Sequence, residues 1–466
     1  MNWIELPFIG GSGAGRDLVL SSQEAINLQP MQFRDSGGRA ALVATPGLTR
    51  LWSLGEGPVR AMLTMGPKLY VVSGQGLYQV DSNGRSRRLG ELPGRGRVSL
   101  AHNGRQLVLV PEDGGGAAWL WSESLGMTPI RDVDFPPAAA VTFMDGFFVF
   151  AQRGSGRFFI SRLYDGGDYN ALEFATAEGL PDALVTVCAD HRELWLMGER
   201  SIEVWFNAGN ADFPFERLSG GFAERGCAAA FSVVKLDNSL VWLGDDRVVY
   251  RAEGYVPRRV SHQALEQMLA DCPRVDDAFA QCLHQDGRSL YMLTLPGADA
   301  TWVLDPATGH WHRRASHGQG RHRANVTAWC FGLSLVGDGE SGALFCWDPD
   351  NPREDGVPLR RERTTAMTSA EGRLLVMHEL ELLLAPGRGQ LLDPSREPRL
   401  MLQWSDDGGR RWSEERWRSM GALGDSQRRV VFHRLGRFRQ RLLRLVVTDA
   451  VPVILLGARA RVEVLE

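Results

Sequence analysis

Lysine is almost missing from this chain: only Lys68 and Lys235 carry an ammonium group, and arginine supplies the rest of the 52 cationic side chains. The codon bias of a GC-rich genome accounts for that and excludes no fold. Paired cysteines are missing too. The six cysteines, at 188, 227, 272, 282, 330 and 346, form no C-x-x-C pair. They argue against a zinc site or a disulfide framework and read as free thiols in a reducing compartment. No apolar run has the length of a bilayer-spanning helix. Residues 1–10 (MNWIELPFIG) have neither the basic nor the apolar segment of a secretory leader. The Gly-rich start, with Gly10, Gly11, Gly13 and Gly15, lacks the Lys-Ser/Thr that completes a phosphate loop, so it reads as an extended arm. There is no G-x-S-x-G elbow to suggest a nucleophile.

Short apolar runs separated by turns are abundant instead. Glycine (53) and tryptophan (14) are frequent and 44% of the residues are apolar, a globular composition with many turns. From residue 39 a loose unit recurs. It has an apolar run, a turn with Asp, Asn or Gly, a second apolar run, a glycine turn and an aromatic strand. Copies begin near Val59, Val98, Ala139, Leu184, Phe231, Phe279 and Val326. Their second strands align as LYVV, LVLV, FFVF, LWLM, LVWL, LYML and LSLV. Four short strands repeating at roughly 40–50 residues predict a β-propeller. Six or seven blades fit, with the early strands at 40–54 available to complete the last. One helical stretch interrupts the pattern at 261–271, with Ser261 as N-cap and Pro273 as stop; it reads as a connector packed on the ring.

Residues 171–217 (ALEFATAEGLPDALVTVCADHRELWLMGERSIEVWFNAGNADFPFER) form the most patterned stretch. Leu194 and Leu196 alternate with Trp195 and Met197. Ile202, Val204 and Phe206 alternate with Glu203 and Trp205. Both runs read as half-buried strands joined by a turn at 198–200, and Trp205 is expected to be a buried blade residue. Phe174-Ala175-Thr176-Ala177-Glu178, Pro181-Asp182, Glu203-Val204-Trp205 and Asp212-Phe213-Pro214-Phe215, in this order, resemble the tail hub family of short-tailed bacteriophages. That family is also called tail nozzle or packaged-DNA stabilisation protein. Phe158-Phe159-Ile160-Ser161, Gly226-Cys227 and Gly254-Tyr255 extend the likeness.

The resemblance implies a virion structural protein without catalysis or cofactor. It implies a ring, usually of six copies, below the portal and its head-to-tail adaptor. Such a ring closes the DNA exit, retains the packaged genome and carries the tail needle, fibre or spike proteins. Later it forms the conduit through which double-stranded DNA is ejected. Location in the virion tail, after assembly in the host bacterial cytoplasm and without membrane insertion, follows from the same resemblance.

The expected partition is an N-terminal arm with first strands (1–57), a propeller (58–348), a polar Pro-rich linker (349–358) and an all-β, sandwich-like domain (359–466). The last is basic. Residues 358–466 hold 20 arginines and 14 acids, a net of +6; the whole chain is −4, so residues 1–357 carry −10. Within it, Ser405, Asp407, Gly409 and Trp412 match the Asp-box spacing Ser-x-Asp-x-Gly-x-x-Trp. That motif is a hairpin staple found in sialidases and other glycan-active propellers. It keeps one alternative open, a sialidase- or depolymerase-like enzyme, which would need a carboxylate pair across a cleft. A generic propeller scaffold is the other alternative.

Two basic stretches are candidate subunit or DNA contacts. In RRVVFHRLGRFRQRLLR (428–444), a strand over 436–442 would place Arg437, Arg439 and Arg441 on one face. Three readings compete there: a solvated face, a contact with an acidic neighbour, and a phosphate contact. Arg313 and Arg314 lie among His310, His312, His317 and His322. Imidazoles suggest a metal, but the neighbouring arginines would repel a dication, and a basic or solvated loop is the alternative. Asp165, Asp168 and Asp182 do not follow the ligand order of a calcium loop and read as polar turns.

Overall fold

The computed structural model describes residues 2–14, 22–33, 39–385, 387–388 and 397–465; Gly15 of the glycine-rich start lies outside them. Alternating apolar runs and tight turns fold into antiparallel four-stranded sheets at 59–91, 98–129, 138–176, 184–223, 234–259 and 279–314. A seventh sheet has three strands from 324–348, and Gly47–Ser53 pairs with Ala343–Asp348 to complete it. The chain is thus a seven-bladed propeller whose last blade is closed by a strand from near the N-terminus. Separate apolar clusters fill all seven blade–blade interfaces, including the one between blades 7 and 1, where Leu54, Val59 and Leu344 meet. A ring of this kind leaves no blade face without a neighbour.

The second strand of each blade is its most buried. Trp195, Trp242 and Tyr291 lie there with 6% or less of their surface exposed. Tight turns after the inner strands use left-handed residues such as Asp145, His191, Asp286 and Phe331. The helix, Gln263–Asp271, packs Leu265 and Leu269 between blades 5 and 6. Its N-cap is His262, not Ser261: His262 Nδ1 accepts from the Leu265 amide at 3.2 Å. Ser261 is turned inward, where its hydroxyl donates to Glu266 and accepts from the Val249 amide.

The remaining strands make a two-sheet sandwich, and the N-terminal arm is built into it. One sheet runs Leu28–Phe33, Arg39–Ala44, Ile454–Leu465, Leu374–Leu384, Val430–Phe438, with Asn2–Leu6 added along Ile454–Leu465. The other runs Glu24–Ile26, Arg361–Thr364, Gln440–Val447, Arg399–Ser405, Arg416–Ser419. The core between them mixes both ends of the chain: Leu6, Phe8, Leu28 and Leu42 pack with Leu380, Leu402, Phe432 and Leu445. Arg363, fully buried, fastens the arm by donating to the carbonyls of Phe8, Gly11 and Glu24.

Propeller and sandwich share a sheet. Glu24–Ile26 pairs antiparallel with Arg361–Thr364 and parallel with His310–Arg314, the outer strand of blade 6. Residues 349–358 carry the short strands Arg353–Glu354 and Val357–Pro358, held against Gly47–Ser53. Buried His322 meets Glu354 at 2.6 Å, and Asp355 pairs with Arg50 and Arg323.

Candidate functional site

The densely patterned stretch of blade 4 forms an interface between blades. Glu203 is 1% exposed. Its carboxylate accepts from the Gly179 amide and from the Trp205 indole N–H at 2.9 Å, with Arg217 at 3.6 Å. A Cβ on Gly179 would lie 2.6 Å from that carboxylate, so glycine is required for the approach. Asp182 accepts from the backbone amides of Arg200 and Ser201 at 2.7 and 2.9 Å, bolting the blade 3–blade 4 connection to the turn at 199–200. The same device recurs where Asp113 accepts from Arg95 and Gly96 amides and Asp245 from the Gly226 amide.

Phe213 and Phe215 pack with Trp205 around Phe158 of blade 3, ring centroids 5.0–6.4 Å apart. Trp205 is half-buried, not buried, because it lies towards the outer end of its strand, beside the 208–214 loop. The Pro214 carbonyl closes that loop by accepting from the Ala208 amide. Glu178 and Pro181 are exposed at one end of blade 4 and Asp212 at the other. The six residues of Ile202–Asn207 between them span about 17 Å. The motif residues therefore converge on no single pocket.

The Asp-box residues form a closed hairpin in the sandwich. The Ser405 hydroxyl donates to Asp407 at 2.8 Å and accepts from the Gly409 amide, and Asp407 accepts from the Arg411 amide. Those amide and hydroxyl donors hold the Asp407 carboxyl below its usual range. Gly409 is left-handed, and Trp412 lies beneath the Arg444 guanidinium, 4.0 Å from its ring centre. The neighbouring Asp406 forms a two-point ion pair with Arg441.

That pair corrects the arginine reading. Residues 436–442 are not one strand; they turn from Val430–Phe438 into Gln440–Val447. The expected alternation breaks at the turn. Arg437 and Arg439 are exposed, but Arg441 is 1% exposed, stacked on Phe438 and donating to the Leu435 carbonyl. Arg441 holds the sandwich together and cannot meet a partner. Arg314 is corrected likewise. It is fully buried, and burial lowers its pKa to about 9. Its guanidinium lies over Trp347 and donates to Gln285 and to Gln29 of the N-terminal arm, whose Glu24–Ile26 strand pairs with the outer strand of blade 6. Arg313 is half-buried and paired with Glu24 at 2.7 Å. His312 is buried beside Arg314, and burial keeps its pKa well below the ordinary histidine value. Among the described residues no three His, Cys, Asp or Glu side chains gather as a metal site.

Sequence reasoning overlooked the propeller axis. A cavity of about 550 Å3 lies there, lined by inner strands of all seven blades. Arg97 of blade 2 closes one end. Its guanidinium crosses the axis to donate to the Asn325 carbonyl and side chain of blade 7 and lies 3.3 Å from the centre of the Phe279 ring of blade 6. The recurring start of the inner strands is legible in the sequence; which side chains meet at the axis depends on ring closure.

Comparison with known proteins gives two family matches. The model described as bacteriophage P22 Gp10, β-propeller, matches residues 4–351, and that described as bacteriophage P22 Gp10, β-sandwich, matches residues 360–463. No curated protein matches. Similar solved structures include a streptogramin B lyase, 11% identical, covering 64% of this chain and 96% of the lyase with a TM-score of 0.44. The Cps50 (Swd1) β-propeller domain of Myceliophteria thermophila is also 11% identical, covers 65% of this chain and 99% of that domain, and has a TM-score of 0.44.

Proposed function

The chain belongs to the bacteriophage P22 Gp10 family over both its propeller and its sandwich, and from that premise we propose that this phage tail protein assembles as a ring which closes the DNA exit. The ring, of six copies as the family resemblance implies, joins the head-to-tail adaptor to the needle, fibre or spike proteins and later serves as the ejection conduit. The observation that carries this reading is the family match across both domains.

The axis of a single propeller is not that conduit. A cavity of about 550 Å3, crossed by Arg97, cannot pass a duplex whose major groove alone is about 12 Å wide. The passage therefore lies between copies. Charge favours contact between the basic sandwich and an acidic surface, since residues 1–357 carry −10 against +6 for the rest. Arg437 and Arg439 are the exposed cations to test. The glycan-active alternative lacks support at the axis, where no carboxylate is among the lining residues and glycoside hydrolysis usually needs a pair.

Arg437→Glu with Arg439→Glu should leave the monomer folded and impair ring or tail assembly, read by sedimentation and by imaging of the particles. Normal rings carrying both changes would rule out the subunit-contact role.

A further inference from the structure

The axial cavity is a cup with a floor and a mouth, and the chemistry of its lining is one-sided. Its floor lies where the inner strands begin. In blades 1 and 7 a bulge inserts Arg60 and Asn325 between paired residues, with Ala139 in the same position of blade 3. Bulges re-aim side chains: Asn325 meets the Arg97 guanidinium, while that of Arg60 turns to the Gly74, Leu92 and Gly96 carbonyls between blades 1 and 2. Arg97 is half-buried and is one of the lining residues.

The mouth lies where the inner strands end, about 13 Å further on for the four steps from Asn325 to Trp329. Lys235, His284 and Trp329 stand there, all exposed, and Trp329 shows 59% of its surface. Lys235 is one of only two lysines in the chain. Between floor and mouth the walls are mostly small or aliphatic, such as Ala61, Leu100 and Val326.

Arg60, Arg97, Lys235 and His284 are among the lining residues, and none of those residues is an aspartate or glutamate. Two deeply buried polar side chains on the lining hold an atom without a hydrogen bond among the described residues: one terminal nitrogen of Arg60, 2% exposed, and Oε1 of Gln281, 6% exposed. The Arg60 nitrogen has only the Asp113 carboxylate, 3.6 Å away. Among the described residues the Arg97 guanidinium makes no ion pair; it bonds Asn325, lies on Phe279 and Phe231, and is influenced by the Glu112 carboxylate. Arg97 and Lys235, cations on the lining of a confined cleft, attract an anion more strongly than the same groups in open water.

We infer that the propeller axis is a binding site for an oxyanion, a phosphate or carboxylate group, that enters past Lys235 and Trp329 and is held above Arg97. The apolar walls suit the non-ionic body of such a ligand, and the planar guanidinium suits two-point contact with its oxygens. The site is independent of the tail role.

Full-length protein, titrated at constant ionic strength with inorganic phosphate and separately with citrate, tests the inference. Heat and tryptophan fluorescence are the readouts. Saturable binding of phosphate alone assigns a phosphate ligand, of citrate alone a carboxylate ligand, and of both the shared chemistry. Lys235→Ala, at an exposed position, should weaken binding about tenfold. Arg97→Gln should abolish it. Trp329→Phe should remove the fluorescence change and leave the heat. No saturable heat with either anion at concentrations on the order of 10 mM would overturn the site. So would affinity unchanged in Lys235→Ala, and that variant decides the matter even if Arg97→Gln fails to fold.

Discussion

Glu203 shows how a carboxylate can be structural. With 1% of its surface exposed, it satisfies the Gly179 amide and the Trp205 indole. Glu203→Ala leaves both donors without a partner and should cost about 1–3 kcal/mol; Glu203→Gln keeps an acceptor and should cost less. Trp205→Ala, at a half-buried ring touching Phe158, should cost about 2–4 kcal/mol, near the low end for an aromatic truncation. Chemical denaturation measures all three. Asp338 carries a pH dependence. Burial pushes its carboxyl up, but the Arg323 guanidinium and the Ser341 hydroxyl and amide prevail and hold it below the usual range. A carboxyl depressed in the folded state contributes stability above its unfolded pKa of about 4 and loses it as pH falls through the folded value. Asp338→Asn should therefore flatten the acid side of a stability–pH curve. An unchanged acid limb in that variant would contradict the assignment.

The strand Gly47–Ser53 closes the ring, and Leu48 is its fully buried anchor beside Leu283 and Phe345. Leu48→Ala should cost about 2–5 kcal/mol; a melting curve like that of the wild type would mean that blade 7 closes without it. Period-2 alternation makes the blades legible in the amino-acid order alone, because a half-buried strand writes its two faces into the sequence. LWLM and LVWL need no distant partner to be read. Contacts brought by chain closure are not legible in that way. Nothing near Arg314 in the sequence tells that Gln29, nearly 300 residues away, meets its guanidinium, or that Glu24–Ile26 lies along blade 6. Arg441 fits a strand-face pattern locally, yet the turn at Arg439 puts it against Asp406. The edge of the sandwich is similar: Arg416 and Arg418 reach across from one sheet to the Val431, His433 and Arg434 carbonyls of the other. Side chains that cover a strand edge in this way discourage unwanted pairing, yet no local signal announces them.

At the scale of the whole molecule, both chain ends meet in one sandwich, which shares a sheet with blade 6. Charge is found at two separate places: Arg97 lines the propeller axis, and Arg437 and Arg439 are exposed on the sandwich. Arginines facing DNA and arginines facing a neighbour are distinguished by salt, because phosphate contacts weaken steeply as salt rises. Closure of the DNA exit by the assembled protein is tested most directly by the DNA content and infectivity of particles assembled without this chain. Heads that package DNA and then lose it are expected, with retention restored when the protein is supplied. DNA-filled, infectious particles lacking the protein would contradict that role.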